Sequence, residues 1–365
     1  MPTTVYFATN RTQPTRRNGP FGNRFHRDGP QFYEVGQATV DWSDPDRADR
    51  DWDAFTVSYK LQQGRKPPVE MPGPDDVPEM HRKSPRAEGL GSDRLFQDLR
   101  KEMVDEKRDV LIYIHGFANS FESSMARAAQ LKELYRIQPP DGGPEYEPYM
   151  FAFSWPSDGK VQPPWKYSSD REDAALSGVA MARALRRLVD FLNAGARCEY
   201  RLHLVAHSMG NWALRHAVLG LRSLLDGGRL PSIFENAFLM AADEDEDCFE
   251  QADKLAGLTE LANNIHVYHS RDDLALKVSD QTKGNMDRLG ANGPRSFSGI
   301  STRITAIDCR KVDATELAHG KHQYYRLRPE VIADVKHVLG GRVVPDEVPG
   351  RAPIEPGRRY RIPGD

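Results

Sequence analysis

Cysteine is scarce. The chain of 365 residues holds three, Cys198, Cys248 and Cys309, far apart and without a C-x-x-C spacing. That excludes a disulfide scaffold and a zinc knuckle, and it fits a reducing compartment. Long hydrophobic runs are missing too. No stretch approaches the roughly 18 apolar residues of a membrane-spanning helix. The N-terminal segment lacks a charged region followed by an apolar one, so a soluble cytoplasmic protein is expected. Charge of one sign is also lacking: Lys+Arg 50 against Asp+Glu 53 gives a formal net charge of −3. This argues against a nucleic-acid-binding surface spread over the whole molecule. There is no H-E-x-x-H and no internal repeat, and neither a metal nor a cofactor is expected.

The first third of the chain is irregular. Short β segments are expected at 5–8, 35–40 and 55–59. Residues 64–91 carry six prolines among charges and read as a long exposed loop. After Ser92, the spacing of Leu95, Phe96, Leu99 and Met103 predicts a helix with one buried face.

From Val110 the pattern changes. Residues 110–114, V-L-I-Y-I, form a continuous apolar run, as in a parallel strand covered on both faces. Further strands are expected at 149–153, 202–206, 237–241, 265–269 and 304–307. Between and after them, helices are expected at 122–135, 172–193, 211–225 and from Pro329 to about Gly340. This alternation means an α/β fold with a mostly parallel central sheet and helices on both faces. One domain is expected over 1–340. Residues 341–365 hold five Pro, four Gly and five Arg with no apolar face, and a disordered tail is expected there.

The sharpest local signal is L-H-L-V-A-H-S-M-G at 202–210. A buried strand runs into Ser208 and a helix starts at once behind it. Such a turn projects the serine hydroxyl above the sheet edge, and it needs small residues two positions to either side, here Ala206 and Gly210. The usual pattern has Gly at both. A serine capping a helix N-terminus is the plain alternative. The loop after the V-L-I-Y-I strand, I-H-G-F-A, stands where backbone N–H groups stabilise a developing oxyanion. The expected hole is therefore the amides of Phe117 and Met209.

A serine nucleophile needs a base, and the base needs an orienting carboxylate, in the chain order Ser, acid, His. S-R-D-D-L-A-L after the strand at 265–269 offers Asp272 and Asp273, of which Asp273 is favoured. Asp243 is the other candidate acid, although D-E-D-E-D reads as a solvated loop with at most weak cation affinity. His319 and His322 both lie before the last helix, and His322 is preferred as base. His207 cannot curl back onto its neighbour Ser208, and its role is steric. His203 alternates within its strand and reads as core. His115 and Trp155 are assigned to the substrate pocket. Trp155, Trp165 and Tyr167 could equally pack the long helix.

Several segments together resemble an uncharacterised bacterial family of the α/β-hydrolase (esterase/lipase) superfamily. They are F-A-T-N-R at 7–11, I-H-G-F at 114–117, F-S-W-P-S-D-G at 153–159 and L-V-A-H-S-M-G-N at 204–211. A-A-D-E-D at 241–245, S-R-D-D-L-A-L at 270–276 and H-Q-Y-Y at 322–325 fit the same family. The resemblance runs from near the N-terminus to about Gly340. It implies a triad of Ser208, Asp273 and His322 and a reaction class more than a substrate; a small-molecule ester is the substrate expected. An amidase, thioesterase or acyltransferase would use the same groups, and a non-enzymatic interaction module on this scaffold is the rival reading. Oligomeric state is not legible.

Overall fold

The computed structural model describes residues 2–13, 21–43, 52–62, 91–158, 165–193, 200–277, 287–312 and 320–364. The proline-rich stretch, His81, Cys198 and His319 lie outside them.

The strands are β1 (Thr3–Thr9), β2 (Glu34–Trp42), β3 (Phe55–Leu61), β4 (Val110–Ile114), β5 (Tyr149–Ser154) and β6 (Leu202–His207). They continue as β7 (Phe234–Met240), β8 (Ala262–His269), β9 (Ile304–Asp308), β10 (Ala352–Glu355) and β11 (Arg359–Arg361). All join one sheet in the order β10-β11-β9-β8-β7-β6-β4-β5-β1-β2-β3. Every pairing from β11 through β1 is parallel, and the two edges are antiparallel. The long helices are α1 (Gly91–Glu106), α2 (Phe121–Leu134), α3 (Trp165–Asn193), α4 (Gly210–Leu224) and α5 (Pro329–Leu339).

The apolar runs of the central strands follow from having no solvated face. On β4, Val110, Ile112 and Ile114 join the core under α1, α3 and α4, while Leu111 and Tyr113 join the core under α2 and α5. The alternation is the two-residue period of a strand. Burying one such side chain contributes about 1.5–3 kcal/mol, and here both phases of the period are spent on it.

Helix α3 is longer than its apolar stripe predicts, because it begins at Trp165. Its added first turns carry few apolar residues, so periodicity alone does not reach them.

The tail differs more. Residues 341–364 are not a featureless extension: β10 and β11 form a ribbon, and β11 pairs parallel with β9. Val348, Tyr360 and Ile362 are buried. Arg351 makes a two-pronged ion pair with Asp334 of α5, at 2.7 and 2.9 Å, and both side chains are almost wholly covered. The apolar contacts are single residues between prolines and glycines, which leaves no periodic face in the sequence to mark them.

A cavity of about 70 Å³ lies between the sheet and α1 and α3, lined by Leu99, Met103, Val110, Ile112, Phe151 and Leu188. Arg100 supplies a charged group at its wall. No histidine or carboxylate lines it, so the reactive groups lie elsewhere.

Candidate active site

In a parallel sheet the loops at the carboxyl ends of neighbouring strands meet at one edge. Here β4, β6, β8 and β9 each deliver part of one cluster.

Ser208 stands between β6 and α4 with φ at 52°, in the left-handed region. A non-glycine residue held there stores strain that its surroundings must hold in place. Its amide donates to the Met240 carbonyl at 2.9 Å, and its carbonyl accepts from the amides of Asn211 and Asp243 at 3.0 and 3.1 Å. The Asn211 side chain bonds the carbonyls of Ala206 and Ser208. Three segments therefore fix the turn. A Cβ on Gly210 would fall 2.6 Å from the carbonyl oxygens of Ile114 and His115. That distance admits only hydrogen, which explains the glycine two residues after the serine.

The loop after β4 lies directly against this turn. A Cβ on Gly116 would sit 2.8 Å from the Ser208 Cβ and 3.0 Å from His207 Nδ1. The next residue is Phe117. Among the described residues, neither the Phe117 nor the Met209 amide donates to a protein acceptor. Two idle N–H groups flanking a serine are what an oxyanion site requires.

Asp273 follows β8 and is fully buried. Its Oδ1 accepts from the amides of Ala275 and Leu276 at 3.0 and 3.1 Å, and its Oδ2 accepts from His322 Nδ1 at 2.6 Å. With the proton held on Nδ1, the neutral imidazole carries its lone pair on Nε2. The alternative acids face elsewhere. Asp272 is partly exposed. Asp243 accepts from the Tyr167 hydroxyl and lies 3.7 Å from Arg288.

His207 ties the His322 loop to the serine turn. Its Nε2–H donates to the His322 carbonyl at 3.2 Å, its ring lies 4.7 Å from the His322 ring, and it stacks on Tyr325 at 4.4 Å. Burial and the neighbouring His322 hold its pKa well below the ordinary value, so it stays neutral. Its contribution is a hydrogen bond as well as bulk.

Two expectations need correction. His115 and Trp155, assigned to the substrate pocket, are fully buried and stacked on each other at 4.9 Å. The Trp155 amide donates to His115 Nε2, and its indole N–H donates to the His115 carbonyl. The pair is packing beneath the loop, and desolvation drops the His115 pKa to about 3. The acidic loop after Ala242 is not solvated either. Asp243, Glu244 and Asp247 are buried, and Arg215, Arg288 and Lys254 pair with them. A sequence cannot show that Arg215 and Arg288, both distant in the chain, close over it together with the nearer Lys254. Trp165 has no described side chain, while Tyr167 packs edge-on to Phe117 at 5.7 Å.

One contributor was visible as a motif without a role. Arg11, in F-A-T-N-R, is buried and donates to Ser154 Oγ and to the carbonyls of Gly22, Asn119 and Ser157. It ties the loops after β4 and β5 to the N-terminal segment. Desolvation lowers its pKa to about 9 despite the carboxylates around it.

A family model described as an alpha/beta hydrolase of unknown function (DUF900) matches residues 92–342, more than two thirds of the chain. The chain belongs to this family. The DUF900 match takes in β4 through α5 and all the residues of the cluster. Strands β1–β3 and the tail ribbon lie outside it, although they hydrogen-bond into the same sheet. A relative, an uncharacterised protein of Nostoc sp., is 27% identical over 175 residues, which is 40% of this chain and 44% of that protein. The chain thus matches less than half the length of that relative. The mostly parallel sheet covered by helices on both faces is the fold the sequence implied. Among the described residues no helix is long and apolar enough to cross a membrane, and no group of three metal-ligating side chains occurs.

Proposed function

We propose that this DUF900 protein is a serine hydrolase of carboxylic esters. The observation that carries the reading is the 2.6 Å Asp273–His322 pair, whose backbone the His207 bond ties to the residue preceding Ser208, itself in a strained strand-to-helix turn. Ser208 Oγ attacks the ester carbonyl while His322 Nε2 takes its proton. Asp273 keeps Nδ1–H oriented and stabilises the imidazolium. The amides of Phe117 and Met209 receive the oxyanion. When the tetrahedral adduct collapses, the C–O bond to the alcohol breaks and His322 returns the proton to the departing oxygen. A water then attacks the acyl-serine with His322 as base; the acyl C–O bond to Ser208 breaks, His322 returns the proton to Ser208 Oγ, and the carboxylic acid departs.

An activated serine is the part a bare scaffold does not need, so the test addresses it. Ser208→Ala should abolish p-nitrophenyl ester turnover with the circular dichroism spectrum unchanged, and a fluorophosphonate should label wild type at Ser208. Turnover that survives the substitution, or labelling at another residue, refutes the proposal.

A further inference from the structure

One cluster beside the serine turn is left unused by this mechanism. Tyr167, near the start of α3, touches Phe117 and hydrogen-bonds Asp243, whose own amide donates to the Ser208 carbonyl. Tyr167 therefore stands beside both the serine turn and the loop after β4. Arg171 lies four residues further on, on the same helix face, with Cβ atoms at that spacing about 6 Å apart. Its guanidinium lies over the Trp212 ring, 3.3 Å from the centroid, and Trp212 Nε1 donates to the Arg171 carbonyl. Trp212 itself stands in the first turn of α4, four residues after Ser208. Arg215 places a second guanidinium over the same indole at 4.7 Å.

The two cations differ in how they are matched. Arg215 is paired with Glu244 and Asp245, at 3.3 and 3.8 Å. Half-buried Arg171 makes no ion pair among the described residues. Three buried polar atoms around this indole also lack a hydrogen-bond partner: Arg171 Nη1, His216 Nε2 and Glu244 Oε1. The acids of the following loop are committed elsewhere, Asp243 to Tyr167 and Arg288, and Asp245 to Arg288 and Lys254. A guanidinium pinned face-on to an indole keeps its N–H fork in a fixed plane, which suits a planar carboxylate. Among the described residues the neighbouring acid is Glu244, whose Oε1 has no partner and whose carboxyl pKa burial raises to about 7, so the full anion that would match this fork is left to a ligand.

We infer that Arg171, held on Trp212, binds a carboxylate of the substrate, so that the esters this site prefers are half-esters of dicarboxylic acids. The inference rests on the hydrolase reading and names its substrate class. Arg171 is then a specificity residue, and the separation between reacting carbonyl and distal carboxylate is set by the step from Ser208 to α3.

The test uses the full chain and mono-p-nitrophenyl esters of succinate, adipate and suberate, each against its neutral methyl-capped counterpart. In wild type, at least one chain length should favour the half-ester by about tenfold or more in kcat/KM, carried by KM. In Arg171→Gln the ratio should fall towards one, and Arg171→Lys, which keeps the charge without the planar fork, should retain part of it. Calorimetric titration of Ser208→Ala with the free dicarboxylates should show binding that Arg171→Gln abolishes. Turnover with no preference at any length, or a preference that survives Arg171→Gln, overturns the inference and leaves the hydrolase reading standing. Dicarboxylate binding that depends on Arg171, without release of nitrophenol from any ester, sinks the hydrolase reading alone. Neither turnover nor binding removes both.

Discussion

Replacing Asp273 by Asn tests the proposed relay at its most constrained joint. The carboxylate is fully buried and already uses Oδ1 to accept two amide N–H bonds, from Ala275 and Leu276. Asparagine offers a single acceptor. If that oxygen keeps the two amides, the NH2 group faces His322 Nδ1, and the imidazole must take its proton on Nε2. The nitrogen that has to accept the serine proton is then blocked. If the amide flips instead, its NH2 group collides with two donors that have no other acceptor, at about 1–3 kcal/mol for each unsatisfied group. The first arrangement is the cheaper, so the substitution leaves the fold in place and fixes the wrong tautomer. That defect costs about 10⁴-fold in kcat, or about 5.5 kcal/mol. The measurement is p-nitrophenyl acetate turnover, with melting temperature as the control for folding. Asp272→Asn, a partly exposed neighbour, should stay within about threefold of wild type. Retention of a tenth or more of kcat by Asp273→Asn, or an equal loss in Asp272→Asn, would refute the reasoning.

Three further outcomes are expected. Gly116→Ala puts a methyl 2.8 Å from the Ser208 Cβ, so the loop after β4, proposed to bind the oxyanion, must retreat; kcat should fall about 10²–10³-fold, and an unchanged kcat would separate this loop from the chemistry. Arg351→Ala strands the buried Asp334 carboxylate and should cost about 3–5 kcal/mol by urea unfolding, whereas a detached tail would show no change. Glu244, fully buried, has its carboxyl pKa raised by desolvation to about 7 from the ordinary 4.5. Between those values the folded chain holds a proton that the unfolded chain has released, so its stability contribution is complete below about pH 4.5 and is lost as pH rises through about 7. The loss is about 3 kcal/mol. In Glu244→Gln the fall in unfolding free energy over that window should flatten, and an unaltered slope would assign the titration to another group.

Much of the fold was legible because burial on both faces of a parallel strand makes its run mostly apolar, and because the helices show apolar stripes. Residues 110–114, 202–206 and 304–307 announce themselves in this way, and their order implies the sheet. The serine turn was legible for a local steric reason: Gly210 lies within 2.6 Å of two carbonyl oxygens, a distance that no side chain tolerates. Tertiary structure alone decided which acid faces His322, since Asp272 and Asp273 are adjacent in the chain and differ only in the direction their turn gives them. It also decided that His115 and Trp155 pack against each other, that the acidic run after Ala242 is closed over by Arg215, Arg288 and Lys254, and that residues 341–364 add a ribbon to the sheet. In each case the partners come from separate segments. A strand or a turn is specified by neighbours along the chain, whereas a buried charge is specified by whatever the fold brings to it.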